Sequence, residues 1–534
     1  MGRTLTNATT IAVARQSSLD VLGGSPAWKE LEPDDIGKFG ESLTKVSRNP
    51  ISRRRSRRRG TIVDVDAAVE FDCDVTMDSL DDFTEAFLFA RAVNFDLRFI
   101  ASTTTSTTYA VPALTASQAS RLVFVSTGAK SLLFAQGYLN SANNGLKPLT
   151  VDPVTTNTTL TVGGLVAETA PANAEVALAG VRAIAGDLAL AVSGVNGTLS
   201  SGNGGVTGGN RVDFTVLGLT VGQKIHVGGL TSTNRFGKTA AGDGTRSYGG
   251  ARIRSIAATS LGLDKLDPTL FASDGTDNGT GGVAIAVDLL FGRFIRDVPV
   301  GHADFLEIAH IFEGSYPNLF ETTPPTPVAN LDGFEYVWNG YANEITQNLK
   351  LADKATCSVG FVCTHADAPV DNSGRKVNAA TARLPLKTGA LNTSSDFARL
   401  GIQDVDETGL TTDFKDMELV LNNNVSPEKV LGRRGAKFLN IGTLEIDMNT
   451  EVLFTSAVVI TRIRNNTAVT MAWTMRNDDG AIAYDVPSGT MSSEGKNFER
   501  NASVRQQLKL ECDSDNVFGY QLSASLFPVY PAAA

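Results

Sequence analysis

Val63-Asp64-Val65-Asp66-Ala67-Ala68-Val69-Glu70-Phe71-Asp72-Cys73-Asp74-Val75-Thr76-Met77 is the stretch whose reading decides the fold. Its odd positions are Val, Val, Ala, Val, Phe, Cys, Val and Met. Its even positions are dominated by Asp and Glu. A period of two is the signature of a β-strand, because successive side chains leave the pleat on opposite faces. One face is apolar enough to bury and the other must stay wet, which is the habit of an antiparallel sheet. A helix is predicted next, with Ser79 as its cap, Asp82 three residues on, and Leu80, Phe83, Phe87 and Ala90 at helical spacing. It is expected to pack against its own sheet.

The same alternation recurs towards the C-terminus. Leu444, Ile446, Met448 and Val452 alternate with Glu445, Asp447, Asn449 and Glu451. Val469–Arg476, Gln507–Glu511 and Gly519–Tyr530 predict further strands. In the middle, Leu133–Gly145, Thr159–Val162, Lys224–Leu230, Ala251–Ala257 and Ser260–Leu263 read as short strands between Gly- and Asn-rich turns, with a weak internal repeat.

At 534 residues the chain exceeds what one core organises, so two or more domains are expected. Composition divides it into three stretches. Residues 1–100 are charged. Residues 101–299 are poor in charge and rich in Gly, Thr, Ser, Ala and Val. Residues 300–534 again mix aromatic, acidic and aliphatic residues. The flanks resemble each other more than the middle, the pattern of an all-β region, one module or two, inserted into another domain. The expected fold class is mainly β.

The formal net charge of −10 argues against a surface that grips DNA phosphates. None of the cysteines at 73, 357, 363 and 512 lies in a CxxC pair, and Cys357 and Cys363 read as buried thiols. The first residues have no apolar stretch, so no leader is expected, and no run is long enough for a transmembrane helix. The four histidines have no metal-ligand spacing, and His302 and His310 are expected to flank a helix. A GxSxG elbow and a GxxxxGK[ST] loop are both missing. Asp274, Asp277 and Asn278, like Asp513 and Asp515, could offer oxygens to calcium, but such clusters are more often solvated turns. No catalytic residue, metal or cofactor is expected. Arg53, Arg54, Arg55, Arg57, Arg58 and Arg59 form a basic run with three readings: a loop that pairs with a neighbouring subunit's acids, a solvated loop, or a DNA contact.

Several segments resemble the tail tube proteins of long-tailed bacteriophages. They are Gly24–Pro33, Phe39-Gly40, Arg48–Ser52, Arg59-Gly60-Thr61 leading into the acidic strand, and Asp81–Ala90. Asn348–Val362, Glu418–Val425, Ile441–Phe454 and, in the middle, Gly137–Leu146 join them. The resemblance implies a tail-tube β-barrel or sandwich with a flanking helix. It implies a structural, self-assembling virion subunit, made in the host cytoplasm, that forms stacked hexameric rings around a channel for genome ejection. Implied partners are other copies, the tape measure and tail terminator proteins, and double-stranded DNA in transit, with no membrane. Asp64, Asp66, Glu70, Asp72, Asp74, Glu445, Asp447 and Glu451 are the candidate lumen-lining residues, the outer surface being the other place for a wet acidic face. The alternative reading is a surface adhesin that binds glycans through its middle modules.

Overall fold

The structure is a computed structural model. It describes residues 9–48, 58–93, 97–100, 103–122, 129–171, 174–193, 196–202, 211–237, 246–266, 284–317, 319–320, 332–404, 409–411, 413–455, 457–498 and 500–531. The chain is mainly β and divides into two compact units. One comprises residues 1–89, 306–385 and 416–449. The other comprises residues 90–305, 386–415 and 450–534, and so contains the whole 101–299 stretch.

In the first unit, β1 (Thr10–Arg15), β2 (Lys29–Leu31), β3 (Pro33–Arg48) and β4 (Arg58–Asp74) precede α1 (Met77–Leu88). Then come β5 (His310–Tyr316), β6 (Gly333–Lys350), β7 (Thr356–Cys363) and β8 (His365–Ala366). β4 is the alternating acidic strand, and it ends at Asp74, earlier than the alternation suggested. The helix begins three residues sooner than expected because Thr76, not Ser79, is the cap. The Thr76 hydroxyl accepts from the Ser79 amide while Ser79 caps the Thr76 amide in return. Ser79 therefore serves as the inner half of the capping box. His302 and His310 flank no helix: residues 301–309 are turns and irregular chain, and His310 opens β5.

The odd residues of β4 are buried and meet the helix. Phe83 lies 5.8 Å from Phe71 and 6.2 Å from Phe361 of β7, ring centre to ring centre, and Phe87 lies 5.6 Å from Phe361. Cys73 and Cys357 face each other across β4 and β7, sulfurs 3.2 Å apart, both buried. Cys363 is buried too.

The long strand β6 serves two sheets. Its first half pairs with β5 and β8, and its second half with β7 and with β11 (Phe414–Asn422). Asn339 holds the bend. Its backbone is left-handed at φ 56°, tolerable for Asn, and its side chain is fully bonded. Its amide nitrogen donates to Asp20 Oδ1 at 2.6 Å and Thr364 Oγ1 at 2.7 Å, and its oxygen accepts from Gln16 Nε2 and the Asp20 amide.

The second unit holds β9 (Phe397–Asp404) and β10 (Gly409–Thr411). The hairpin of β12 (Ser426–Lys429) and β13 (Ala436–Asn440) belongs to the first unit, and β14 (Glu445–Leu453) begins there and ends in the second. After α2 (Ala457–Arg464) come β15 (Val469–Asn477), β16 (Gly480–Asn497), β17 (Arg505–Cys512) and β18 (Ser523–Phe527). β15 is buried on both faces, so its alternation did not mark a wet side.

Within residues 97–291 one hydrophobic cluster includes Tyr109, Leu133, Val176, Leu199, Phe214, Ile253 and Phe291. The local repeat seen in the sequence has a structural counterpart. Lys130–Gln136, Gly137 at φ 80°, a 3₁₀ turn at Ser141–Asn143 and a strand from Gly145 are matched by Lys224–Val227, Gly228 at φ 101°, a 3₁₀ turn at Ser232–Asn234 and a strand from Phe236.

The same unit buries a charge cluster. The Asp485 carboxylate of β16 lies 2.7 Å from Lys265 Nζ, 3.0 Å from Arg252 Nη1 and 3.4 Å from Lys224 Nζ. It also accepts from the Tyr520 hydroxyl at 3.1 Å. Arg252 pairs in addition with Asp264 at 2.8 Å. Burial opposes the Asp485 charge, but Lys265, Arg252 and Lys224 together hold its carboxyl well below the ordinary range. Burial pushes Lys265 down to about 7 against the pull of Asp485.

Candidate functional site

The registers of the first unit turn the acidic strand into an acidic surface. Phe71, Val359, Ile345 and Leu421 lie side by side across β4, β7, β6 and β11, all buried. One residue along, the opposite face carries Asp72, Ser358, Thr346 and Val420. Two residues further stand Asp74, Thr356, Asn348 and Glu418, and on the other side come Glu70, Gly360, Glu344 and Asn422. The polar rungs run straight across four strands because the pleat repeats in phase.

Part of this face is concave. A trough of about 600 Å³ takes Asp66, Glu70, Asp72 and Glu344 in its lining, with Lys38 among them.

Asp66, Glu70 and Asp72 are exposed, and Asp64 and Asp74 half-buried. On β14, Glu445 is exposed and Asp447 and Glu451 are half-buried, with Ile446, Met448 and Val452 buried between them. The sequence reading did not assign Glu344, Asp416 and Glu418 to this face. The alternation Asp416-Met417-Glu418-Leu419 was the available signal.

Cations stand on the face, each held by carboxylates. Lys429 Nζ is 2.6 Å from both Asp64 and Asp66. Lys354 Nζ is 2.6 Å from Asp74 and 3.1 Å from Asp34, and Lys38 is 2.9 Å from Glu70. Arg505 reaches Glu451 at 3.3 Å in the second unit. The bond from Lys429 holds the Asp64 carboxyl below its ordinary value, helped by the Val65 amide. The bonds to Asp64 and Asp66 raise Lys429 in turn, as those to Asp74 and Asp34 raise Lys354. Such pairs are exposed and salt-screened, so they shape the potential more than they stabilise the fold. The net sign is negative, and the ammonium groups of Lys38, Lys354 and Lys429 are already engaged.

Arg53, Arg54, Arg55 and Arg57 lie outside the described residues. Arg58 opens β4 opposite Arg48, and Arg59 is exposed. His226 and His310 are buried, and burial pushes both down to about 3, so they are neutral in the fold. Asp515 accepts from the Val517 and Phe518 amides, forming a turn. Among the described residues no group of three or more His, Cys, Asp or Glu could hold a metal ion, and no helix is long and apolar enough to cross a membrane.

No curated protein matches the chain. A family described as phage tail tube protein matches residues 179–512, more than half of its length. The chain belongs to the phage tail tube proteins, a structural and non-enzymatic family of the virion tail.

Proposed function

We propose that copies of this protein close into rings of six tube folds, stack head to tail, and enclose a negatively lined channel through which the genome passes into the host. The carrying observation is the polar face of β4, β7, β6 and β11, concave, acidic and continuous in register. A row of carboxylates is costly unless solvated, and a lumen supplies the water. DNA in transit must slide. A wall on which Lys38, Lys354 and Lys429 are each held by a carboxylate repels phosphate weakly and does little to grip it. A lumen as wide as a duplex needs strands from several chains, and sharing them removes exposed sheet edges. On this reading Asp64, Asp66, Glu70, Asp72, Asp74, Glu445, Asp447 and Glu451 line the channel, joined by Glu344, Asp416 and Glu418. The Arg53–Arg59 loop contacts acids of a neighbouring subunit. Residues 101–299 decorate the exterior. The tape measure protein occupies the lumen before ejection, a terminator protein caps the tube, and synthesis occurs in the host cytoplasm.

Ring stacking is heterologous and therefore open-ended. Negative-stain electron microscopy of the purified protein at high concentration and low salt is expected to show rings and tubes. A protein that stays monomeric there, and virions whose tails lack it, would overturn the proposal.

A further inference from the structure

Strand pairing in this chain occurs twice over. β1, β2, β3, β4, α1, β5, β6, β7 and β8 form one series, and β9, β10, β11, β14, α2, β15, β16, β17 and β18 a second. The pairings β1·β2, β1·β5, β3·β4, β4·β7, β5·β6, β6·β7 and β6·β8 recur as β9·β10, β9·β15, β11·β14, β14·β17, β15·β16, β16·β17 and β16·β18. Both strand–helix junctions carry the same bond: the Val75 amide donates to Ala355 O, and the Phe454 amide to Val504 O. In the first series residues 89–309 separate the helix from the next strand of the series. In the second, only residues 465–468 do.

Among the described residues the two series are joined by one antiparallel pairing, β6 with β11, from Glu344 opposite Asn422 to Lys350 opposite Asp416. Next to its last rung Leu349 faces Met417, both buried. In the second series the strand equivalent to β6 is β16. Beyond Gly489 its pairing partner among the described residues is β17 alone, so its other edge is open there. The strand equivalent to β11 is β3, whose paired strand among the described residues is β4 alone. Asn348 pairs with the first residue of β7 and Asn497 with the first residue of β17, so Phe498 stands where Leu349 stands. Ile36 and Met417 are each the fourth residue of their strand. Leu349 is buried, but Phe498 is 74% exposed. Leu43, Val46 and Val63 along the β3–β4 arm are each more than half exposed. Open strand edges with uncovered apolar side chains are pairing templates.

We infer that the open edge of β16 pairs with β3 of a second copy of this chain, reproducing between chains the β6·β11 joint, with Phe498 packed beside Ile36 of the neighbour. The chain is then a tandem pair of tube folds, and a ring of six folds holds three chains. The stoichiometry rests on the ring reading proposed above. The edge pairing rests on the internal repeat.

The test joins two measurements on the full chain. An Ile36→Cys, Phe498→Cys variant, oxidised after assembly and run without reductant, is expected to give covalent dimers and trimers and to stop at three. Each single variant should give no ladder. Phe498→Asp alters a side chain exposed in the isolated protein, so its monomer should keep the circular dichroism and melting temperature of the wild type. Its critical concentration for assembly is expected to rise by about tenfold or more, since one buried aromatic is lost at every joint. Tubes whose rings contain six chains by native mass spectrometry, no cross-link in the double variant, or unchanged assembly by Phe498→Asp would each overturn the inference and leave the tube reading standing. A wild-type protein that forms no ring at all would overturn both.

Discussion

Asp485→Asn removes one negative charge from a site that water does not reach. Asp485 and Lys265 are fully buried, and Lys224 and Arg252 nearly so. In the native cluster three cations face two carboxylates. In the variant they face Asp264 alone, which is already bonded to Arg252. Removing one member of a buried ion network costs about 3–5 kcal/mol, most of it the penalty of the charges left behind. The loss should depend on pH. Lys265 sits at about 7 in the native fold even with Asp485 pulling it up. Without that carboxylate its folded value falls further below the unfolded one, so the folded variant resists protonation that the wild type accepts. The deficit is therefore larger at pH 6 than at pH 9, where Lys265 is neutral in both. Trp473 is buried in the same unit and stacks on Tyr484 with ring centres 4.6 Å apart, whereas Trp28 and Trp338 belong to the other unit. In a Trp28→Phe, Trp338→Phe background, Trp473 fluorescence during urea unfolding reports on the second unit. Limited proteolysis should at the same time release fragments from 224–265, where four of the cluster's residues lie. Adding Lys265→Met to Asp485→Asn should restore a substantial part of the loss by rebalancing the charge. If Asp485→Asn unfolds within about 0.5 kcal/mol of the reference at pH 6, a size typical of surface substitutions, the cluster is not the buried network argued here.

Replacing Asp64, Asp66 and Asp72 by Lys together also frees Lys429. Tubes should still form but genome ejection should slow, most at low salt, and a normal ejection rate across salt would exclude these residues from the lumen. The four-residue link between α2 and β15 suggests that residues 101–299 can be replaced by a short linker with tube formation retained, provided Asp485→Asn removes the carboxylate stranded by the deletion. A folded deletion protein that assembles nothing would refute the decoration reading. Acidification should weaken the two units differently. The folded values of His226 and His310 lie near 3, so below the unfolded value of about 6.5 each costs about 1.4 kcal/mol per pH unit. Burial pushes Asp297 up to about 6, which stabilises the fold as pH falls from there towards 4 and offsets His226 in the second unit. The first unit, which holds His310, should therefore lose stability first, as read from Trp28 and Trp338 against Trp473.

The acidic face was legible because alternation reports directly which side of a strand meets water, and residues 63–74 alternate with few exceptions. The helix was legible from its spacing. Its start was misjudged because Thr76 and Ser79 both satisfy the capping chemistry, and only the backbone shows which one is extended. Glu344 and Glu418 reach the face through register, which no local pattern carries. The buried cluster was invisible for a similar reason: Lys265 and Asp485 lie 220 positions apart, and each alone reads as a surface charge. The doubled series left only traces, such as Glu70-Phe71-Asp72 against Glu445-Ile446-Asp447. Residues 89–309 separate helix from strand in one series and hide its period, and pairing is kept by backbone geometry with little demand on identity.

The pairing of β6 with β11 has a kinetic consequence. Its two edges are tethered, so they meet at an effective concentration of the order of millimolar however dilute the protein is. The joint forms as the chain folds and is unaffected by dilution, whereas a joint between separate chains waits for collision. On the ring reading proposed above, every molecule thus leaves folding with one wall seam already closed and in register. Fewer encounters remain before a ring shuts, and fewer partly built arcs with open strand edges accumulate on the way. For a protein whose exposed edges invite mispairing, that shortens the period in which it is most liable to aggregate.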